Sequence, residues 1–363
     1  MNEMQTNLPF HGLTVIELAS VLAGPAVGMF FAELGAEVIK IENKRTGGDT
    51  TRHWKLPQED KDSPVSAYFH AVNWQKRHIF MDFTHPDDHH QLLDWVKKAD
   101  IVIANFKSGS AEKLGLDGPS LRQCNPRLIY ASISAYSKDD PRPGFDVAIQ
   151  AETGWMSMNG EPGGPPVKLP VALMDLLAAH QLKEGILTAL LRRERTGLGC
   201  EVSVSLFDAS IASLANQATN WLNLGLLPVP MGSRHPNIAP YGEIFYTKDG
   251  KALLLATGTE QHFRLLCQLL GLPELPNDER FATNAARLSN RKALCDLLAA
   301  AFLQFDAEVL LARCTEQQVP VSPIRNLKEV FEIPVAQHMV LEELSEDGTT
   351  SKRVRTVAFE LVG

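Results

Sequence analysis

Asp175 is the residue of this 363-residue chain best placed to do chemistry. It follows the apolar, proline-broken run Leu169-Pro-Val-Ala-Leu-Met174 and precedes apolar residues that recur at helical spacing through Leu191. Thr196-Gly197 and Gly199 stop that helix. The carboxylate therefore stands where an extended segment turns into a helix. There it can accept hydrogen bonds from first-turn amides as an N-cap, which is the plainer reading. Such a position also presents side chains to a cleft. At the ordinary aspartate pKa of about 3.9 the carboxyl is ionised at neutral pH.

Other clusters carry weaker chemistry. Lys40, Lys44, Arg45, Arg52, Lys76 and Arg77 follow strands or lie near them. Singly they read as solvated surface; together, at one edge of a sheet, they suit the phosphates of a nucleotide-like ligand. His85-Pro-Asp-Asp-His-His90 suggests a metal, but Pro and Asp are favoured in a first helical turn, so a solvated helix start is the better account. No metal site is expected. Glu17-Leu-Ala-Ser-Val-Leu-Ala-Gly-Pro25 lacks the G-x-G-x-x-G of dinucleotide enzymes, and no G-x-S-x-G elbow occurs. Arg234-His235-Pro-Asn-Ile-Ala-Pro is a polar loop of the kind that joins domains, readable either as a rigid linker or as binding residues.

The elements that position these residues are legible as a pattern. Leu13 to Leu18, Ala36 to Ile41, His78 to Phe83, Asp100 to Phe106 and Arg127 to Ser134 read as strands, separated by helices such as Pro25 to Leu34 and Pro86 to Ala99. Alternation of this kind predicts α/β architecture, a doubly wound parallel sheet with ligands at the strands' carboxyl ends. Glu201 to Leu206 adds a strand, followed by one long helix from about Asp208 to Leu224. The Pro/Gly-rich Leu227 to Ser233 marks a boundary, and Tyr241 to Ala256 reads as a hairpin turning at Asp249-Gly250. Short helices from Gln261 to Gln317 and an extended, mixed tail from Val319 complete the chain. The expected division is a large domain over 1–224, a small α+β domain over 225–318, and a segment over 319–363 that returns to the first.

Composition narrows the function classes. A net charge of −8 disfavours nucleic-acid binding. No apolar run is long enough to span a bilayer, and Met1-Asn-Glu-Met-Gln-Thr-Asn has no signal-peptide pattern. Five cysteines without C-x-x-C spacing fit a reducing cytoplasm.

Taken in order, the landmarks resemble the family III CoA-transferases, the group of formyl-CoA transferase and carnitine CoA-transferase, which shares a superfamily with α-methylacyl-CoA racemase. They are Leu22-Ala-Gly-Pro25, Leu34-Gly-Ala-Glu-Val-Ile-Lys-Ile-Glu42, Gly48-Asp-Thr-Thr-Arg52 with Trp54, and Asn73-Trp-Gln-Lys-Arg77. Ala104-Asn-Phe106, Lys113-Leu-Gly-Leu116, Asp146-Val-Ala-Ile-Gln-Ala-Glu-Thr-Gly154, Asp175 with Gly185-Ile-Leu-Thr-Ala-Leu190, Arg234-His-Pro and Val319-Pro-Val-Ser-Pro-Ile324 continue the series. The likeness spans about Leu13 to Val340.

The resemblance implies a Rossmann-like domain, coenzyme A or acyl-CoA as substrate with no tightly bound cofactor, a carboxylic acid partner, and an interlocked ring-shaped homodimer. It implies that Asp175 is the nucleophile, passing through an aspartyl anhydride and an aspartyl-CoA thioester. Lys44, Lys76, Arg77, Asn105, Phe106 and Lys113 are the implied CoA contacts; Val21, Trp54 and Tyr136 line the acyl end; Arg234 and His235 meet the acid. Leu22 stands where formyl-CoA transferase has Gln, and Gly232-Ser-Arg-His-Pro replaces its glycine-rich loop, which argues against oxalate or formate. Members are usually longer at the carboxyl end, so a tail ending at Gly363 is a further departure. The racemase has a titratable His where this chain has Phe145, which favours transferase over isomerase. A CoA-binding protein without turnover is the remaining alternative.

Overall fold

A computed structural model describes residues 8–137, 140–344 and 350–362. The amino-terminal residues read for a signal peptide and Gly363 lie outside them. Six parallel strands form the main sheet: β1 (Thr14–Leu18), β2 (Glu37–Asn43), β3 (Arg77–Met81), β4 (Ile101–Ala104), β5 (Ile129–Ser134) and β6 (Glu201–Ser205), in the order β3-β2-β1-β4-β5-β6. The order reverses between β1 and β4, and a sheet of this type opens a crevice at the carboxyl ends of the strands flanking that reversal.

Strand alternation explains why both faces are covered. Val15, Ile101, Ile103, Ile129 and Ala131 point to one side, under α1 (Ala23–Glu33) and the long helix over Leu173–Thr196. Ile16, Leu18, Val102, Ala104 and Tyr130 point to the other, against α2 (Pro86–Val96) and α3 (Gly118–Cys124). Near-continuous apolar strands are the signature of a sheet buried on both faces. Further helices of this unit include α4 (Asp146–Glu152), α5 (Leu173–Thr196), α6 (Leu206–Ala212) and α7 (Ala215–Leu224). The single helix expected from Asp208 to Leu224 is two, because Ala215 adopts φ 47° and breaks it.

The chain divides into two compact units, one of residues 1–156, 168–228 and 337–363, the other of 157–167 and 229–336. The second unit therefore extends past the expected limit at 318, since strand β9 (Val321–Pro323) pairs with β8 (Ala252–Leu255), itself antiparallel to β7 (Ile244–Tyr246). Its core is built from Phe245, Leu253, Phe263, Leu294, Leu298, Phe302 and Leu310. In the first unit the carboxyl-terminal segment is tied down where the Glu33 carboxylate accepts the Thr356 amide and hydroxyl at 2.6 and 2.8 Å. Among the described residues, no helix is long and apolar enough to cross a membrane.

Candidate active site

Asp175 is the third residue of α5 and is half-buried. Ala172, the residue before the helix, has no capping side chain. The cap comes from α4 instead: Asp146 Oδ1 accepts the Met174 amide at 2.7 Å while Oδ2 accepts Gln150 Nε2 at 2.6 Å. Gln150 Oε1 accepts the Leu169 amide at 2.8 Å, so one carboxylate and one amide fix the approach to α5 from both sides. This corrects the N-cap reading. Asp146 does that work, and no described residue donates a hydrogen bond to the Asp175 carboxylate.

The same surroundings correct the ionisation expected of Asp175. Burial pushes its carboxyl up to about 7, and the negative charge of Asp146 adds to the effect. The helix start opposes both, since a first turn favours negative charge. The carboxyl thus stands between acid and carboxylate at neutral pH. Tyr68 lies within the same field: burial first, then the charges of Asp175, Asp146 and Asp49, raise its phenol. Trp54 packs edge-on to Tyr68 with ring centroids 5.2 Å apart, and is 42% exposed.

The β1–α1 turn, at the reversal point of the sheet, is built on buried charge. Glu17 and Lys40 stand opposite each other in the β1–β2 register and pair at 2.8 Å. Lys40 also reaches Asp49 at 3.1 Å, and Lys76 pairs with Glu17 at 2.7 Å, all with fully buried side chains. Burial is the largest influence on Glu17 and would raise it, but Lys40 and Lys76 together hold it below the usual carboxylate range. Asp49 accepts the amide of Val21, which adopts φ 73°. A β-branched residue in that region costs on the order of 1–3 kcal/mol. Asn105, just past β4, donates to the Ser20 carbonyl at 2.7 Å and accepts its amide at 3.0 Å.

The sequence-derived candidates thus fall into separate groups. Val21 and Asn105 meet at the β1–α1 turn. Lys76 lies beneath it, its ammonium donating to the Pro25 carbonyl at 2.8 Å and Asn73 at 3.2 Å, with burial pushing it down to about 8. So enclosed, Lys76 holds the fold from within and has no surface to offer a phosphate. Lys44, Arg77 and Lys113 are exposed; Arg77 is 3.8 Å from Glu37. Phe106 is half-buried, 6.2 Å from the ring of Phe83. Tyr136 is buried, its hydroxyl donating to Glu152 at 2.6 Å and its ring covered by Arg142. Arg234 and His235 belong to the second unit. Arg234 Nε donates to the Met231 carbonyl at 2.9 Å, and the His235 carbonyl accepts from Arg291 at 2.7 Å. Phe145, at the start of α4, is 62% exposed and carries no titratable proton.

Asp146, Gln150, Asp49 and Tyr68 were not singled out as site residues by sequence reasoning. One signal existed for the buried network: Glu17 interrupts the apolar strand Thr14-Val-Ile-Glu-Leu18, and a charge inside such a run is buried only with a partner.

Comparison with known proteins bears on this geometry. The family model described as CoA-transferase family III matches residues 10–361. The succinate–glutarate CoA-transferase of Agrobacterium fabrum is 40% identical over 356 residues, spanning 96% of this chain and 88% of that protein. An acetyl-CoA:oxalate CoA-transferase of Acetobacter aceti is 35% identical, over 92% of this chain and 86% of that one. The crystal structure of a CAIB/BAIF family protein from Brucella suis superposes with a TM-score of 0.83 at 40% identity, covering 97% of this chain and 93% of that one.

Proposed function

The chain belongs to CoA-transferase family III, and from that premise we propose that it moves coenzyme A from an acyl-CoA thioester to a free carboxylic acid, with Asp175 as the nucleophile. The observation that carries the reading is the Asp175 carboxyl itself, held at a helix start by a neighbour's cap and left without a hydrogen-bond donor of its own.

In the deprotonated form, an Asp175 oxygen attacks the thioester carbonyl, the C–S bond breaks, and CoA leaves as the thiolate. The thiolate then attacks the Asp175 carbonyl of the mixed anhydride, expelling the donor acid as its carboxylate and leaving an aspartyl-CoA thioester. The acceptor carboxylate attacks that thioester and again releases thiolate. A final attack of the thiolate on the acceptor's carbonyl gives the new acyl-CoA and restores Asp175. Each step passes through an oxyanion that preorganised donors must stabilise. Burial serves this sequence, because a poorly solvated carboxylate is the stronger nucleophile and charge interactions strengthen where water is excluded.

Exposed Lys44, Arg77 and Lys113 suit the phosphates of CoA, and Trp54 with Val21 suits the acyl end. The relatives named above carry succinate, glutarate and oxalate in their names, which supports a short dicarboxylic acid as one partner. Phe145 argues against the racemase alternative, which needs a proton carrier there. Incubation with succinyl-CoA followed by hydroxylamine tests the proposal: a hydroxamate on the peptide containing Asp175 is expected. Tight CoA binding, unchanged in Asp175→Ala, with no label and no exchange across a broad panel of acids would leave only a CoA-binding role.

A further inference from the structure

The charges beneath the β1–α1 turn take no part in the steps above, yet they converge on three consecutive residues. Lys40 Nζ donates to the Ala19 carbonyl at 2.7 Å. Asn105 grips Ser20 through both its amide and its carbonyl. Both oxygens of Asp49 accept the Val21 amide, at 3.2 and 3.1 Å. Asp49 is fixed in turn. Its Oδ1 accepts the Thr51 amide and hydroxyl at 3.0 and 2.8 Å, its own amide donates to Glu42 at 2.9 Å, and Lys40 sits 3.1 Å away. Glu42 is itself clamped by Arg52, at 2.7 Å to Nε.

A turn that only joined a strand to a helix would carry glycine at φ 73°, since glycine adopts that region freely. Here a valine is forced into it, and the restraint comes from a carboxylate with no exposed side-chain surface. Strain that the surroundings over-determine in this way collects where position matters for function. The turn stands at the reversal of strand order, where sheets of this type hold their ligands.

Resting on the transferase reading, we infer that Asp49 is a positioning residue for the reaction. It holds the Val21 turn in its left-handed conformation and so fixes where that turn stands against the bound thioester. It acts through Val21 and does not touch the substrate.

The test compares Asp49→Asn and the charge-preserving Asp49→Glu, each with and without Val21→Gly. Two readouts are taken on the full chain: CoA transfer from succinyl-CoA to glutarate, and hydrogen exchange of the Val21 amide. Each single Asp49 variant should exchange Val21 faster and lose kcat by about a hundredfold, the scale of a small misplacement, with the KM for acyl-CoA little changed. Because glycine needs no restraint to adopt the turn, Val21→Gly should restore kcat about tenfold in either background, a coupling that independent sites do not show. Full kcat in a single variant whose Val21 exchanges faster would overturn the inference, as would folded double variants no more active than the singles. A wild-type chain that moves no CoA overturns the transferase reading separately; unchanged Val21 exchange in both Asp49 variants overturns the positioning itself.

Discussion

Asp175 carries a conflict between stability and reaction that experiment can separate. An aspartate in the unfolded chain titrates near about 3.9, whereas the folded protein holds this one at about 7. Between those values the native state keeps a proton that the unfolded chain has lost, so this group lowers stability progressively as pH rises from about 4 to about 7, and by a constant amount above. Asp175→Asn should therefore stabilise the protein at pH 8, by about 1–3 kcal/mol once partial solvation is allowed for, while CoA transfer falls by at least about a thousandfold. Urea unfolding and initial rates measure the two. A residue that only capped its helix would behave differently, since Asn caps as well as Asp and the substitution would leave both stability and rate little changed. The nucleophile must be ionised, so kcat/KM should climb with pH to a plateau above about 7. Since Asp146 adds to the raised value, Asp146→Asn should move that inflection to lower pH.

At the scale of elements, the site depends on how closely α1 approaches β1. A Cβ added at Gly28 would lie 1.8 Å from the Glu17 carboxylate and displace it from Lys76. Gly28→Ala should cost about 2–4 kcal/mol, as overpacking combined with a disturbed buried ion pair, read as a lower denaturant midpoint. The sheet and its helices were legible because short, near-continuous apolar runs and helical spacing alternate along the first two hundred or so residues, roughly one domain's length. What the pattern could not supply was pairing. Glu17 announces itself as a charge within a strand, but its partners Lys40 and Lys76 come from other segments and read equally well as surface cations. Asp146 sits in a motif that was recognised, yet its role as the cap of α5 appears only when α4 and α5 are packed together. The break at Ala215 was hidden for a different reason, since alanine is the best of helix formers and gives no local signal of a positive φ.

For the whole molecule, the exposed apolar residues point to an assembly. Trp221, Leu222 and Leu224 of α7 are 50%, 78% and 66% exposed, and Leu226 and Leu227 continue the series. Exposed apolar patches mark interaction sites, and this run supports the homodimer that the family resemblance implies. Leu222→Glu combined with Trp221→Glu should shift the mass in light scattering from two chains to one; an unchanged dimer would place the interface elsewhere. The central claim is that Asp175 bonds covalently to the acid being activated. It is tested most directly by turnover with an acceptor acid carrying oxygen-18 in its carboxylate, followed by mass spectrometry of the peptide containing Asp175. The acceptor's anhydride leaves one of its oxygens on the aspartate, so that peptide should gain the isotope during turnover and fail to gain it when acyl-CoA is omitted. Transfer of CoA to the labelled acid with no isotope on Asp175 would contradict the account.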